Sequence, residues 1–360
     1  KGTITVTADG TESVNVPMEL SVADWTLPDA RDFQTEIGAI QSPESVALKY
    51  DVDLWSERHW QLLGRIFEFM GQVGCDHIHI LLQRRMNHGN SESMVRWVKK
   101  EGGGYTHDFS IVERYVDLAI RHLGRIPVVC LNAWDRADGQ EPPRGAPTMR
   151  GVLFTVVDPK TGIIEEAEGP RFGTPEAREF WKPVFDGIAK ILKDRGLERS
   201  MMHGVLSDCE PGGNYFLPIR AAWDDLNAVA PGLKWVMQNN KGAYPMIFGL
   251  PREEVLGCFA HFVDSFARFV PDLSRHPRRY GWQAPLREAM FPHTSLSDGS
   301  APAQWRAVLE TQWICGRLGI ARLGFDFFNL PPEKEQREPG GSEFGRGTIA
   351  GRYPETDWSL

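Results

Sequence analysis

"LWSERHWQLLGRIFEFMGQVGCDHIHILL" (residues 54–82) holds the reading on which the fold turns. Trp55, His59, Leu62, Leu63, Ile66, Phe69 and Met70 recur at the spacing of one helical face, and Gly74 supplies the stop. The apolar run HIHILL (77–82) then reads as a strand. A helix feeding directly into a strand is the repeating step of a wound parallel sheet.

The same step recurs on both sides of this stretch. FQTEIGAI (33–40) is a strand candidate before it; FSIVERYVDLAIRHLG (109–124) and IPVVCLNAW (126–134) are the next helix and strand. TPEAREFWKPVFDGIAKILKDRG (174–196) opens with Thr174 as cap and Pro175 at the first helical position, and leads into MMHGVLSD (201–208). LKWVMQNN (233–240), VLGCFAHFVD (255–264), RYGWQAP (279–285), the helix PAQWRAVLETQWICGRLG (302–319) and ARLGFDFFN (321–329) complete the series. Eight strand candidates interleaved with helices, with no glycine-rich phosphate loop after the first, predict an α/β fold of the (β/α)8 TIM-barrel type over residues 31–360. VLFTVVDPKTGIIEEAEG (152–169) reads as a hairpin inserted at the rim, GGGYTHDFS (102–110) as a loop, and Glu288 as part of a loop or helix. Residues 1–28 alternate apolar and polar positions around Ala8-Asp9-Gly10, which predicts a hairpin. Because a lone hairpin is barely stable, residues 1–30 read as the end of a β-sandwich whose other strands lie upstream.

The composition excludes several classes. A net charge of −8 over 360 residues disfavours a nucleic-acid partner, and Arg84-Arg85 and Lys99-Lys100 read as solvated faces. No apolar run is long enough to cross a bilayer. The five cysteines lack metal-ligand or disulfide-framework spacing, and neither a cofactor nor a metal is expected: His77 and His79 share a strand face but have no third ligand. Twelve tryptophans serve either a large core or sugar-stacking platforms.

In such barrels the chemistry sits at the carboxyl ends of the strands. VLSDCEPGG (205–213) places Asp208 and Glu210 two residues apart at the end of the fourth strand candidate, so both side chains reach one face while Cys209 turns away. Two crowded carboxylates cannot both ionise easily, so one keeps its proton, as a general acid for glycosidic cleavage must. The remaining strand ends offer substrate contacts from Asn132, Trp134, Asn240, His261, Tyr280, Trp282 and Asp326. RYGWQAP, the seventh strand candidate, carries no acid, whereas a conventional retaining glycosidase needs a second carboxylate about 5 Å from the first. The missing partner points to a nucleophile on the substrate, the carbonyl of a 2-acetamido group.

These segments resemble glycoside hydrolase family 123, the β-N-acetylgalactosaminidase family. GTITVTADG, VPMELSV and LPD are similar to the end of that family's sandwich domain. IGAIQSPESVALKYDVDLWSERHWQLLGRIFEFMGQVG is similar to the start of its barrel, SDCEP to its catalytic strand end, and GRYPETDWSL to the lead-in to a further C-terminal region. The resemblance implies a secreted or periplasmic bacterial enzyme acting on β-linked N-acetylhexosaminides, with Glu210 as acid/base and Asp208 orienting the acetamide. In the family pattern Asp and Glu are adjacent, whereas here Cys209 separates them. Two alternatives stand beside this reading: a sugar-binding barrel that has lost catalysis, and a conventional retaining glycosidase using Glu288 or Asp326.

Overall fold

The computed structural model describes residues 1–86, 90–134, 151–205, 216–239, 255–259, 288–290 and 319–328, together with Arg306, Glu310 and Leu360. At the N-terminus, β1 (Gly2–Val6) and β2 (Val14–Met18) pair antiparallel, Ile4 opposite Val16 and Val6 opposite Val14. Alternation puts these four and Met18 on one face, where all five stay exposed. The other face is polar, with Thr5 Oγ1 donating to Asn15 Oδ1 at 2.7 Å.

Eight strands form the main sheet: β3 (Glu36–Ile40), β4 (His77–Leu81), β7 (Val128–Trp134), β10 (Met201–Val205), β11 (Lys234–Asn239), β12 (Val255–Phe259), β13 (Glu288–Met290) and β14 (Gly319–Gly324). Each ladder among them is parallel. Their spatial order is β3-β14-β13-β12-β11-β10-β7-β4, so every strand from β4 onward lies beside its successor and the first lies beside the last. The two end strands are also joined: the backbone N–H of Asp76 donates to Ile37 O at 3.2 Å, and that of Ile37 to Asp76 Oδ1 at 3.1 Å.

Five described helices, α1 (Pro43–Tyr50), α2 (Glu57–Gln72), α3 (Ser110–His122), α4 (Pro175–Asp194) and α5 (Phe216–Val229), lie in the chain between successive strands of this sheet. Their starts are written locally. Ser56 Oγ accepts from His59 N before α2, and Thr174 Oγ1 accepts from Ala177 N before α4, with Pro175 at the first helical position. The face of α2 carrying Leu62, Leu63, Ile66 and Met70 packs in one apolar cluster with Ile78 and Ile80 of β4 and Val129 and Leu131 of β7. The alternate strand positions form a separate cluster of Val128, Cys130, Met202 and Val236 on the opposite face of the sheet. Trp60, Trp97, Trp134, Trp181, Trp223 and Trp235 are all buried in the first cluster, so much of the tryptophan surplus is core.

Three expectations are corrected. The strand in seventh place is Glu288–Met290, so Glu288 belongs to a strand rather than a loop or helix. A three-residue strand leaves too short a pattern to detect, and the aromatic run at 279–285, which lies outside the described residues, drew the reading instead. Glu288 opens this strand opposite Gly257, and Phe291-Pro292-His293, which follow its carboxyl end, bring no acid. Second, the rim insertion is a four-stranded sheet, β6-β5-β8-β9, built from β5 (Arg96–Lys99), β6 (Tyr105–Asp108), β8 (Leu153–Val157) and β9 (Ile164–Glu168). The glycine-rich segment read as a loop thus supplies β6. Ser93 and Thr155 clasp the two insertions, Ser93 N donating to Thr155 Oγ1 at 2.8 Å and Thr155 N to Ser93 Oγ at 3.0 Å. Trp97 anchors this sheet, stacked on Phe180 of α4 at 5.1 Å. Third, Arg84 and Arg85 are not a solvated face: both approach Glu166 of β9, Arg85 Nε at 2.8 Å from its Oε2. Among the described residues no helix is long and apolar enough to cross a membrane.

Candidate active site

Parallel strands bring their carboxyl ends to one edge, and ligands of such sheets bind beyond that edge. Here the edge holds Ile40, Leu81, Trp134, Val205, Asn239, Phe259, Met290 and Gly324, the last residues of the eight strands. Beneath it lies a buried polar array on the face opposite the helices. Asn132 Nδ2 donates to His79 Nδ1 at 3.2 Å, and Cys130 Sγ donates to Asn132 Oδ1 at 3.2 Å. Gln41 joins β3 to β4: its Oε1 accepts from His79 N at 3.1 Å, and its Nε2 donates to Ala39 O at 2.6 Å and His77 O at 3.1 Å. One side-chain amide thereby performs the pairing a backbone ladder would.

Asp326 follows β14 at this edge and is fully buried. Its Oδ1 accepts from the backbone N–H of Ser42, which stands at the N-cap of α1, at 2.5 Å. Phe328 N donates to Ser45 Oγ at 2.8 Å and Phe325 N to Ile40 O at 3.0 Å, so the end of the last strand is sewn to the start of the first helix. Burial pushes the Asp326 carboxyl up to about 7, against the lowering effect of the Ser42 N–H and its own. Among the described residues its Oδ2 has no hydrogen-bond partner.

The rim above β4 is also tied down. Asn90 Nδ2 donates to Gln83 O at 2.7 Å, Arg84 N to Leu153 O at 2.8 Å, and Ser91 N to Glu44 Oε2 at 2.5 Å. Arg84 Nε also donates to Ser91 O. Burial is the main influence on the Arg84 guanidinium and lowers its pKa, which Glu166, Glu92 and Glu44 oppose.

Of the catalytic and substrate-contact residues proposed from the sequence, Asn132, Trp134 and Asp326 are described. Asn132 lies within the polar array, Trp134 is 3% exposed in the helix-side cluster, and Asp326 meets the start of α1. Asp208, Glu210, Asn240, His261, Tyr280 and Trp282 lie outside the described residues, as does Cys209. Sequence reasoning missed Gln41, His79 as an array member, and Arg84-Arg85. The signal was present, since the rule that polar residues directly after an apolar run reach the edge selects Gln41 and Ser42 after the first strand and Gln83, Arg84 and Arg85 after the second. Among the described residues no group of three or more His, Cys, Asp or Glu side chains is arranged to hold a metal ion.

Comparison with known proteins adds two findings. The family described as "Glycoside hydrolase 123, catalytic domain" matches residues 41–246. Among solved structures, the chain is similar to a family 123 glycoside hydrolase from Clostridium perfringens studied for glycolipid glycan hydrolysis, with 15% sequence identity and a TM-score of 0.62. That likeness covers 97% of this chain and 63% of the solved one, and at this identity it bears on the fold alone. Curated proteins gave no match.

Proposed function

Because the chain belongs to the glycoside hydrolase 123 family, we propose that it hydrolyses β-linked N-acetylhexosaminides, N-acetylgalactosaminides first among them, with retention and with the substrate's own acetamide as nucleophile. The observation that carries this reading is the family match, which runs through β10 and the Asp208-Cys209-Glu210 segment that follows it. Glu210 gives its proton to the leaving oxygen while the acetamide carbonyl closes on the anomeric carbon. Asp208 orients the acetamide N–H and balances the positive oxazolinium. Glu210 then takes a proton from the water that opens that ring.

Sugar contacts from Asn240, His261, Tyr280 and Trp282 complete the proposal; Asn132, Trp134 and Asp326, expected from the sequence as further contacts, are buried in the wall beneath the carboxyl-end edge and support the site from there. We further propose that the eight-stranded sheet closes as a barrel; the β3 to β14 ladder and the Gln41 and Asp76 bonds across the β3 to β4 seam support this. A secreted or periplasmic location is part of the same proposal and rests on the family resemblance.

Hydrolysis of a chromogenic β-N-acetylgalactosaminide, abolished in Glu210→Gln, is the expected result. Equal turnover of the corresponding 2-hydroxy sugar would overturn the acetamide mechanism. Sugar affinity without turnover would instead favour a binding barrel. The conventional two-carboxylate alternative has weaker support: Asp326 is fully buried and engaged with Ser42, and Glu288 opens its strand instead of ending it.

A further inference from the structure

The last described residues of β10 are paired with its neighbour β7. The two strands run in register from Met201 opposite Val129 to Gly204 opposite Asn132, and then Val205 pairs with Trp134, skipping Ala133. This bulge falls on the last step before the chain reaches Ser207 and Asp208. A bulge bends its strand and breaks the two-residue alternation of side chains. Trp134 accordingly lies in the helix-side cluster, although it stands two residues from inward-facing Asn132.

Gly204 occupies the in-register position beside the bulge, where a larger side chain would have to displace the Asn132 and Cys130 side chains. A Cβ at Gly204 would come within 2.2 Å of Asn132 Oδ1 and 2.3 Å of Cys130 Sγ, far inside any real contact. The Asn132 carboxamide is held by His79 and Cys130, and the His79 backbone is held in turn by Gln41. A retreat would therefore break these bonds, and β10 rests directly against the carboxamide.

We propose that Asn132 is a positioning residue and Gly204 its seat. Together they set the depth and heading at which β10 leaves the sheet, and so the placement of the two carboxylates that follow. This rests on the reading above that Asp208 and Glu210 perform the chemistry. Asn132 acts through the strand; its amide is committed to the wall.

The test compares Asn132→Ala, Gly204→Ala and Glu210→Gln with the wild-type chain on a chromogenic β-N-acetylgalactosaminide. For Asn132→Ala we expect kcat to fall by about tenfold or more with KM held within about threefold, since misplaced catalytic groups lower turnover more than binding. We also expect a limb of the kcat pH profile to move by about half a unit, because the spacing of coupled carboxylates sets their proton affinities. A merely structural role would lower the folded fraction and leave those limbs in place. Hydrogen exchange of the 201–205 backbone, measured without substrate, should quicken in Asn132→Ala. A folded Asn132→Ala enzyme with kcat within about twofold of wild type, unmoved pH limbs and unchanged exchange overturns the proposal. Should Gly204→Ala fail to fold, Asn132→Ala alone decides. Turnover that survives Glu210→Gln sinks the catalytic reading instead, and the Asn132 to Gly204 contact is then judged by hydrogen exchange.

Discussion

Ser42 and Asp326 stand 284 positions apart in the chain, and the backbone N–H of Ser42 donates to Asp326 Oδ1 at 2.5 Å. The N-cap residue of the first helix in the main fold is thus tied to a carboxylate just beyond its last described strand. Since burial raises the carboxyl to about 7 from an ordinary 3.8, the folded state holds this proton more tightly than the unfolded chain does. Its contribution to stability is full below about 3.8 and is lost as pH rises through about 7. Asp326→Asn keeps an acceptor for Ser42 and removes the buried charge. Denaturant titration should find the variant more stable than wild type at pH 8, by on the order of a few kcal/mol at most, with the gap closing toward pH 4.

His59 and His203 work in the opposite sense. Burial lowers each to about 4, His59 with Pro43 O as a ring partner at 2.8 Å and His203 with Ala230 O at 3.0 Å. Both are held neutral, so their contribution is present above the ordinary histidine value of 6.5 and is lost as pH falls toward 4. His203 lies between Phe185 and Trp235, and His203→Phe retains an aromatic ring there. Urea midpoints measured from pH 7 to pH 4 should fall less steeply in that variant; an identical slope would count against the assignment.

Gln41→Ala should destabilise the seam between β3 and β4. It strips partners from His79 N and His77 O inside the protein, at about 1–3 kcal/mol for each group left unmatched. Gln41→Glu should be worse, because it sets a carboxylate against the Ala39 and His77 carbonyls. Thermal melts of the two variants check the order.

Trp97→Ala removes the ring on which the rim sheet rests, stacked on Phe180 and edge-on to Trp181. A loss of about 3–5 kcal/mol is expected for so large a buried truncation. Hydrogen exchange should show that loss in residues 93–108 and 151–169 before it reaches the main sheet.

Much of the fold is legible locally. Thr174-Pro175 announces α4, and the face of α2 is spelled out by Leu62, Leu63, Ile66 and Met70. The failures have physical causes. Glu288-Ala289-Met290 is too short to show a pattern, and β5 and β6 are four-residue strands flanking three glycines. Strand alternation places Asn132 and Trp134 on one face, but a bulge separates them, and bulges leave no mark in composition. At the site, Asp326 was legible as an acid at a strand end. Its partner was not, because no spacing rule links it to Ser42 across the whole domain.

The clasp between Ser93 and Thr155 joins segments 62 residues apart and makes β5 and β8 neighbours in one sheet. Each insertion therefore supplies the missing edge of the other. Neither can be trimmed, lengthened or grafted onto another scaffold alone without leaving its counterpart bare: the pair is one module whose halves are written in separate places.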